Sequence, residues 1–511
     1  MRFVSVTSSA AMLRPGLYGF EVTAVLRNDL AVEITGIRAT LTVREGTASR
    51  AGDFRWRDAD ARDGVLDPQP ASIPPGGQAT FRFRVDALAH AAPVGPLSLD
   101  AEAMFQTGGA MRAATPLDPP TQLPFEGRPA PIVVTTARDE DNGDTRISFR
   151  EAVKLANANP GFDRITFDPA AFPPGNPVVT VLDEKLGEIP TVTGDLVIDG
   201  SGAGFTFAMT SKWETPGRRY GLRLASGTLV VHGIGFLDMG FNYPVENLGA
   251  DNCGSGTMYD GGAIRVDGGT LILDSNRFAD TDVSERNCLA ASVRLLGGSG
   301  HRILSNHWTD PSMDALYVGA PTVEVSGNVM DGGAAPDRAD DCITVASLGG
   351  APLWVVGNLC VDAEQSAVVA GGPDDGQLYL VGNTFVRSRG LAAVRRIGNN
   401  RRIELHDNAY YANQAAILTT NNGDAFTISH EAEFGTGPFC AGCGAAAILQ
   451  PTILTDVDPQ FTNAAGTTPA DFTPGPGSPL VDSGLDLVDR NGPVPGRFGG
   501  AGPERGAVEL P

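Results

Sequence analysis

A chain of 511 residues exceeds what one ordinary hydrophobic core covers, so several domains, or a domain with a repeat array, are expected. Its 64 glycines, 37 prolines, 7% aromatic and 19% charged residues favour short strands and tight turns over helices, while 42% hydrophobic residues exclude wholesale disorder. A net charge of −22 excludes nucleic acid as a partner, because phosphate binding needs a basic face, and no apolar run reaches the ~18 residues of a bilayer span.

The opening MRFVSVTSSAAMLRPG lacks the apolar core of a secretory leader. Residues 1–115 alternate apolar and polar positions in short runs (Tyr18 to Leu26, Ile37 to Val43, Ala79 to Val85, Leu97 to Met104), separated by turn clusters such as Pro74-Pro75-Gly76-Gly77. This predicts a β-sandwich of about seven strands, Ig-like in architecture only, since no Cys–Trp–Cys spacing pins it as an immunoglobulin domain. Residues 116–131, with Pro116, Pro119, Pro120, Pro124, Pro129 and Pro131, read as a stiff extended linker.

Residues 132–511 contain an internal repeat. LILDSNRF (271–278), HRILSNHW (301–308), VEVSGNVM (323–330), WVVGNLC (354–360), LYLVGNTF (378–385) and IELHDNAY (403–410) are each a short strand, an asparagine, one residue, and a large apolar residue or cysteine. Asn276, Asn306, Asn328, Asn358, Asn383 and Asn408 follow at spacings of 30, 22, 30, 25 and 25. Such periods without helical patterning select a parallel β-helix, with at least seven coils across about residues 195–430. The asparagines are expected in a left-handed turn, with their amides stacked along the coils.

The cysteines fall into local pairs, Cys253 with Cys288, Cys342 with Cys360, and Cys440 with Cys443, which suits disulfides in an oxidising compartment. Strand parity turns Cys360 inward and Cys342 outward. Cys440 and Cys443 lack the second CxxC or histidine pair of a zinc site, and the βαβ setting of a redox site is missing. The histidines show no metal-ligand spacing, so no metal is assigned to them. Trp308 and Trp354 are expected in the core.

Two segments resemble known families. Ser148, Arg150-Glu151-Ala152, Ala156-Asn157 and Pro160-Gly161-x-Asp163-x-Ile165-x-Phe167 are similar to the "CSLREA" segment opening many bacterial surface β-helix proteins, with Ile147 and Phe149 in place of its Cys and Leu. Its helix, about 147–157, would cap the solenoid within a cap region 132–170. Asp458-Pro459-x-Phe461, Pro476-Gly477-Ser478-Pro479-Leu480-Val481-Asp482-Ser483-Gly484 and Gly506-Ala507-Val508-Glu509 resemble the "choice-of-anchor Q" ending of the same proteins, placed at 456–511. The resemblance implies an all-β, right-handed, pectin-lyase-like parallel β-helix behind the sandwich, and a secreted or cell-surface location.

A partial likeness to polygalacturonases rests on Ser312-Met313-Asp314, Asp340-Asp341-Cys342, Glu364-Gln365-Ser366 and Arg395-Arg396-Ile397, of which only Asp-Asp-Cys is literal. It implies Asp314, Asp340 and Asp341 as catalytic carboxylates, since inverting hydrolysis needs an acid and a base ~6.5–9.5 Å apart. Parity turns Asp314 and Asp341 inward and Asp340 outward. Solvated turn aspartates or a Ca²⁺ site is the other reading. The same count gives one outward residue per coil between two inward ones: Arg265, Arg294, Tyr317 and Thr344, then Arg395 or Arg396. Guanidinium forks match uronate carboxylates and tyrosine offers a sugar-stacking face, which makes this column a candidate groove for an acidic polysaccharide. Pairing of the arginines with nearby aspartates for solubility is the alternative. Two functions stay open: an extracellular β-helix that binds or cleaves an acidic polysaccharide or surface glycan, as a lyase or glycoside hydrolase, or a non-catalytic surface or adhesion stalk.

Overall fold

The computed structural model describes residues 1–9, 19–56, 65–66, 72–89, 91, 95–124, 129–209, 219–239, 261–279, 291–311, 314–333, 341–372, 376–397, 402–419, 426–443, 447–449, 452–485 and 505–507. The chain divides into two compact units, one built on Met1–Ala130 and the other on Pro131–Gly492.

The first unit is an antiparallel β-sandwich. One sheet orders Arg2–Ser8, Gly19–Arg27, Gln78–Ala87 and Phe54–Trp56, and the other centres on Ile34–Glu45 paired with Leu97–Thr107. Val22, Ala24 and Leu26 from one sheet meet Leu97, Leu99, Ala101, Ala103 and Phe105 from the other in a single core, as period-two alternation requires. The proline-rich stretch contributes to this unit, because Thr121–Leu123 pairs with Leu97, Ser98 and Leu99.

The second unit is a right-handed parallel β-helix of three sheets. Among the described residues, sheet I has 12 strands, from Ile132–Val134 to Ala447–Leu449; sheet II has 10, from Val178–Val181 to Ala432–Phe434; sheet III has nine, from Arg219–Leu224 to Cys440–Ala441. Each coil runs from sheet I through the asparagine turn to sheet II, then to sheet III, and back. Equivalent residues stack coil on coil. The apolar residue two places after each asparagine forms an interior ladder, Phe278, Trp308, Met330, Cys360, Phe385 and Tyr410, each opposite the next. Phe278 and Trp308 lie face to face at 4.7 Å.

The asparagine turn differs from expectation in one respect. The left-handed residue is the one before each asparagine: Ser275, Ser305, Gly327, Gly357, Gly382 and Asp407, with φ between 53° and 65°. The asparagines are instead buried and form the ladder. The backbone N–H and Nδ2 of Asn276 both donate to Oδ1 of Asn306, at 2.9 and 3.0 Å, and this contact repeats through Asn328, Asn358, Asn383 and Asn408. The second Nδ2 hydrogen goes to a sheet I carbonyl, such as that of Ile303 for Asn328. Every buried amide hydrogen therefore has an acceptor.

The N-terminal cap explains its motif. Ser148 caps the helix Phe149–Ala158 in a capping box with Glu151. Arg150, buried inside the cap, makes a fork to Asp139 and donates to the carbonyls of Leu186, Gly187 and Glu188. Phe149 packs against Phe167, Phe205 and Phe207, closing the end of the core. At the other end, the C-terminal segment folds back on the helix. Phe461 and Phe472 cover Leu359, Val361 and Val386 on the outside of sheet II. Arg505 donates to the carbonyls of Glu431, Thr452 and Ser483. Gly506 must be glycine, because at φ 112° a Cβ would lie 2.7 Å from Thr384 Oγ1.

Expectations for five residues are corrected. Sheet III does not alternate strictly at its start: Ala315 and Leu316 are both in the core, as are Cys342 and Ile343, Ala367 and Val368, and Ala393 and Val394. The chain bends there, so the inward place counted for Asp314 and Asp341 is taken by the residue that follows each. Cys342, counted outward, is a core residue bonded to Cys360. Cys440 is bonded to Cys443, and Cys253 and Cys288 lie outside the described residues. Trp354 is not a core residue. It is half-buried on the outer face of sheet I, opposite Tyr379, between the inward Leu353 and Val355. Arg396 is 1% exposed, with its guanidinium over the Phe426 ring, which removes it from the outward column.

Candidate functional site: the outer column of sheet III

Sheet III places one outward residue per coil in strict register. Arg223 is opposite Arg265, which is opposite Arg294, followed by Tyr317, Thr344, Val369, Arg395 and Leu418. The apolar neighbours of each, Leu222 and Leu224, Ile264 and Val266, Val293 and Leu295, face the core and fix the direction of the arginine between them. Three guanidiniums thus stand on three adjacent strands. Cationic neighbours ~5 Å apart repel by roughly 3 kcal/mol at an effective dielectric of ~20, so the arrangement calls for an anion.

One anion is built in. Asp267 Oδ2 accepts from Arg223 Nη2 at 2.7 Å, and Oδ1 accepts from Arg265 Nε at 2.7 Å. A single carboxylate thereby bridges two coils. Burial raises the Asp267 carboxyl, but the bonds from Arg223 and Arg265 outweigh it and hold it below the usual value, so it stays ionised. The column is also braced by rings: Arg265 lies over Tyr220 at 5.6 Å and Arg294 over Tyr317 at 4.8 Å. Arg265 and Arg294 are each 8% exposed, more enclosed than an outward position implies. Tyr317, Thr344 and Arg395 are half-buried, and Arg395 Nη1 donates to Gln365 at 3.4 Å.

Arg223 is missed because the column is counted from Arg265 onward. The signal was present nonetheless. Leu222-Arg223-Leu224 matches Ile264-Arg265-Val266 and Val293-Arg294-Leu295 in its apolar–Arg–apolar pattern.

The carboxylate candidates lie beside the column. Leu316 and Ile343 are opposite one another, so Asp314 and Asp341, two residues ahead of them, occupy equivalent places on adjacent coils. Asp314 is half-buried. Asp341 is engaged, accepting from the Ser366 backbone N–H at 3.0 Å and from Thr344 Oγ1 at 3.4 Å. Asp340 lies outside the described residues. Among the described residues, no group of three or more His, Cys, Asp or Glu side chains is placed to hold a metal ion, and no helix is long and apolar enough to cross a membrane.

The strand register defines a class, the three-sheet parallel β-helix with a polar column along one face. No protein-family model and no curated protein matches the chain. Among solved structures it is similar to a mutant tailspike protein of E. coli bacteriophage HK620, at 12% identity, with a TM-score of 0.38. That similarity covers 63% of this chain and 66% of the tailspike chain, just under two thirds of its length.

Proposed function

We propose that this protein is an extracellular β-helix that binds an acidic polysaccharide along the outer column of sheet III. The observation that carries this reading is the stacking of Arg223, Arg265 and Arg294 in register on adjacent strands. The Asp267 carboxylate held between Arg223 and Arg265 is the pairing that the solubility alternative expects, and a chain carboxylate would take its place. That pairing is a worked example of how a chain carboxylate would be gripped by guanidiniums of neighbouring coils. A uronate polymer laid along the helix axis presents carboxylates in the direction in which the arginines repeat, with Tyr317 following Arg294 as an aromatic contact.

Binding of polygalacturonate and alginate, with dextran as the neutral control, tests the reading by calorimetry. The triple variant Arg223→Ala, Arg265→Ala, Arg294→Ala should lose at least ~100-fold in affinity for the acidic chains, since each charge-assisted contact contributes roughly 1.5–3 kcal/mol. Binding should also weaken with added salt. Equal binding of acidic and neutral chains, or none of either, would leave the non-catalytic stalk as the better account.

A cleaving version of the same site would use Asp314 and Asp341, whose equivalent places on adjacent coils favour a carboxylate pair. Its product would be new reducing ends, or unsaturated uronates if the route is elimination. Asp341→Asn should abolish the hydrolytic product while polysaccharide binding persists; an elimination route would depend on an arginine or Tyr317 of the column instead.

A further inference from the structure

The outer face of sheet I carries a second group of side chains, separate from the arginine column. Glu404 and His406 lie two residues apart on the strand Arg402–His406, and Ser429 is directly opposite His406 on the next coil. His406 Nδ1 is 2.6 Å from Ser429 Oγ, and His406 Nε2 is 3.4 Å from Glu404 Oε2. Gln377 donates to the other oxygen of Glu404 and steadies it. A hydroxyl, an imidazole and a carboxylate thus stand in one hydrogen-bonded series on three rigid, register-locked positions. In the tautomer satisfying both contacts, Nε2–H donates to Glu404 and Nδ1 accepts from Ser429. This is the arrangement that activates a serine, recognised by geometry and not by order in the sequence.

We infer that Ser429, His406 and Glu404 form an acyl-transfer site that hydrolyses short O-acyl esters of a carbohydrate. The surroundings select that substrate. Ser429 is 7% exposed and His406 2%, which restricts the inferred substrate to a short acyl group. Val356 and Val381 precede His406 in the same column, on the side away from Ser429, and back the imidazole with an apolar surface. In the neighbouring column Glu404 follows the half-buried Trp354 and Tyr379, whose rings stack at 3.8 Å. A glycan chain running from Ser429 back along the coils would meet this aromatic wall two coils away, which suits the C–H edges of a sugar. In the reaction, Ser429 Oγ attacks the acyl carbon as its proton passes to His406 Nδ1. The ester C–O bond breaks and the sugar oxygen leaves with that proton. Water then attacks the acyl-serine, yields a proton through His406 to Ser429 Oγ, and the carboxylic acid departs.

The experiment uses the full chain and does not depend on glycan binding at sheet III. The wild type is incubated with a fluorophosphonate probe, and separately with p-nitrophenyl acetate and an O-acetylated polysaccharide. A phosphonyl adduct on Ser429, located by mass spectrometry, and acetate release are expected. Ser429→Ala and His406→Ala should lower kcat by about 1000-fold or more. Glu404→Gln, a change at a positioning residue, should lower kcat while KM stays within about twofold, and should shift the acid limb of the pH profile. The inference is overturned if the wild type is labelled no more than Ser429→Ala, or if Ser429→Ala retains the wild-type rate. The three residues would then be a cross-strand hydrogen-bond ladder and nothing more.

Discussion

Glu431 takes the place that asparagine holds on the six preceding coils. Asn408 donates its backbone N–H and its Nδ2 to Glu431 Oε1, and the Tyr410 hydroxyl donates to Oε2 at 2.6 Å. Burial drives the Glu431 carboxyl up to about 8, against the lowering effect of Tyr410 and Asn408. Burial likewise raises Asp407, the neighbouring left-handed residue, to about 7. Both groups keep in the folded state protons that the unfolded chain releases above ~4. Their contribution to stability is therefore greatest below about pH 4, declines as pH rises through the interval from ~4 to 8, and is then level. Glu431→Gln should flatten this decline and stabilise the protein above about pH 8, by on the order of 2 kcal/mol. Thermal unfolding across that interval checks it, and an unchanged slope would refute the assignment. The exception at Glu431 is not visible in the repeat pattern, because the segment containing it has no asparagine to align. The six asparagines themselves were legible, and so was their stacking. What the residue type did not reveal was that the left-handed backbone belongs to the residue before.

At the scale of elements, the turn ladder and the cap each rest on a few fully satisfied polar groups. Asn328→Ala would remove the shared acceptor of the Asn306 backbone N–H and Nδ2, both buried, at a cost of about 2–5 kcal/mol. Asn328→Asp keeps the acceptor but sets a carboxylate oxygen against Asn358 Oδ1, so it should also destabilise, and more so as pH rises. Urea unfolding of both variants measures this. Arg150→Ala should cost about 3–5 kcal/mol, because it strips a buried partner from Asp139 and three carbonyls at once. Arg150→Lys should recover little, since an ammonium cannot reproduce the fork. Selective loss of protection at residues 132–158 in hydrogen exchange would mark the cap as the site of damage. The three-sheet coil was readable from sequence because apolar positions recur with the asparagines. Failures of parity cluster at the start of sheet III, where two successive small or apolar residues face the core. A count by twos cannot see a corner.

At the scale of the whole β-helix, the two flanking segments pack by different means. A helix plugs the N-terminal end, whereas the C-terminal segment lies along the outside of sheet II and anchors through Arg505, Gly506 and Ala507. Removing residues 452–511 would uncover Leu359, Val361, Val386, Ala409 and Ala432 together. The truncated chain should bind a hydrophobic dye and associate, with its β-sheet circular dichroism largely kept. A monomeric truncation without dye binding would show the segment to be dispensable. Of the residues in 456–511, Phe461 and Phe472 turn out to be cover for a sheet. The order of the coils was legible along the sequence, and so was the outward column from Arg265 onward, whereas Arg223, 42 residues before Arg265, joined it only through the register.

The amide ladder has a consequence for how such a chain can change length. Asparagine spacings of 22, 25 and 30 residues give the same contact, so the loops absorb the difference and the stack does not feel it. Each asparagine accepts from the coil before and donates to the coil after, which makes the pattern translationally invariant until Glu431 ends it. Growth is therefore quantised. A tandem copy of residues 359–383 would insert one whole coil, extend the outer columns by one position and leave every amide paired. Loss of a single residue inside a strand would instead shift one coil against its neighbours and interrupt the ladder. Reach along the axis can thus be varied in whole-coil steps without reworking either end.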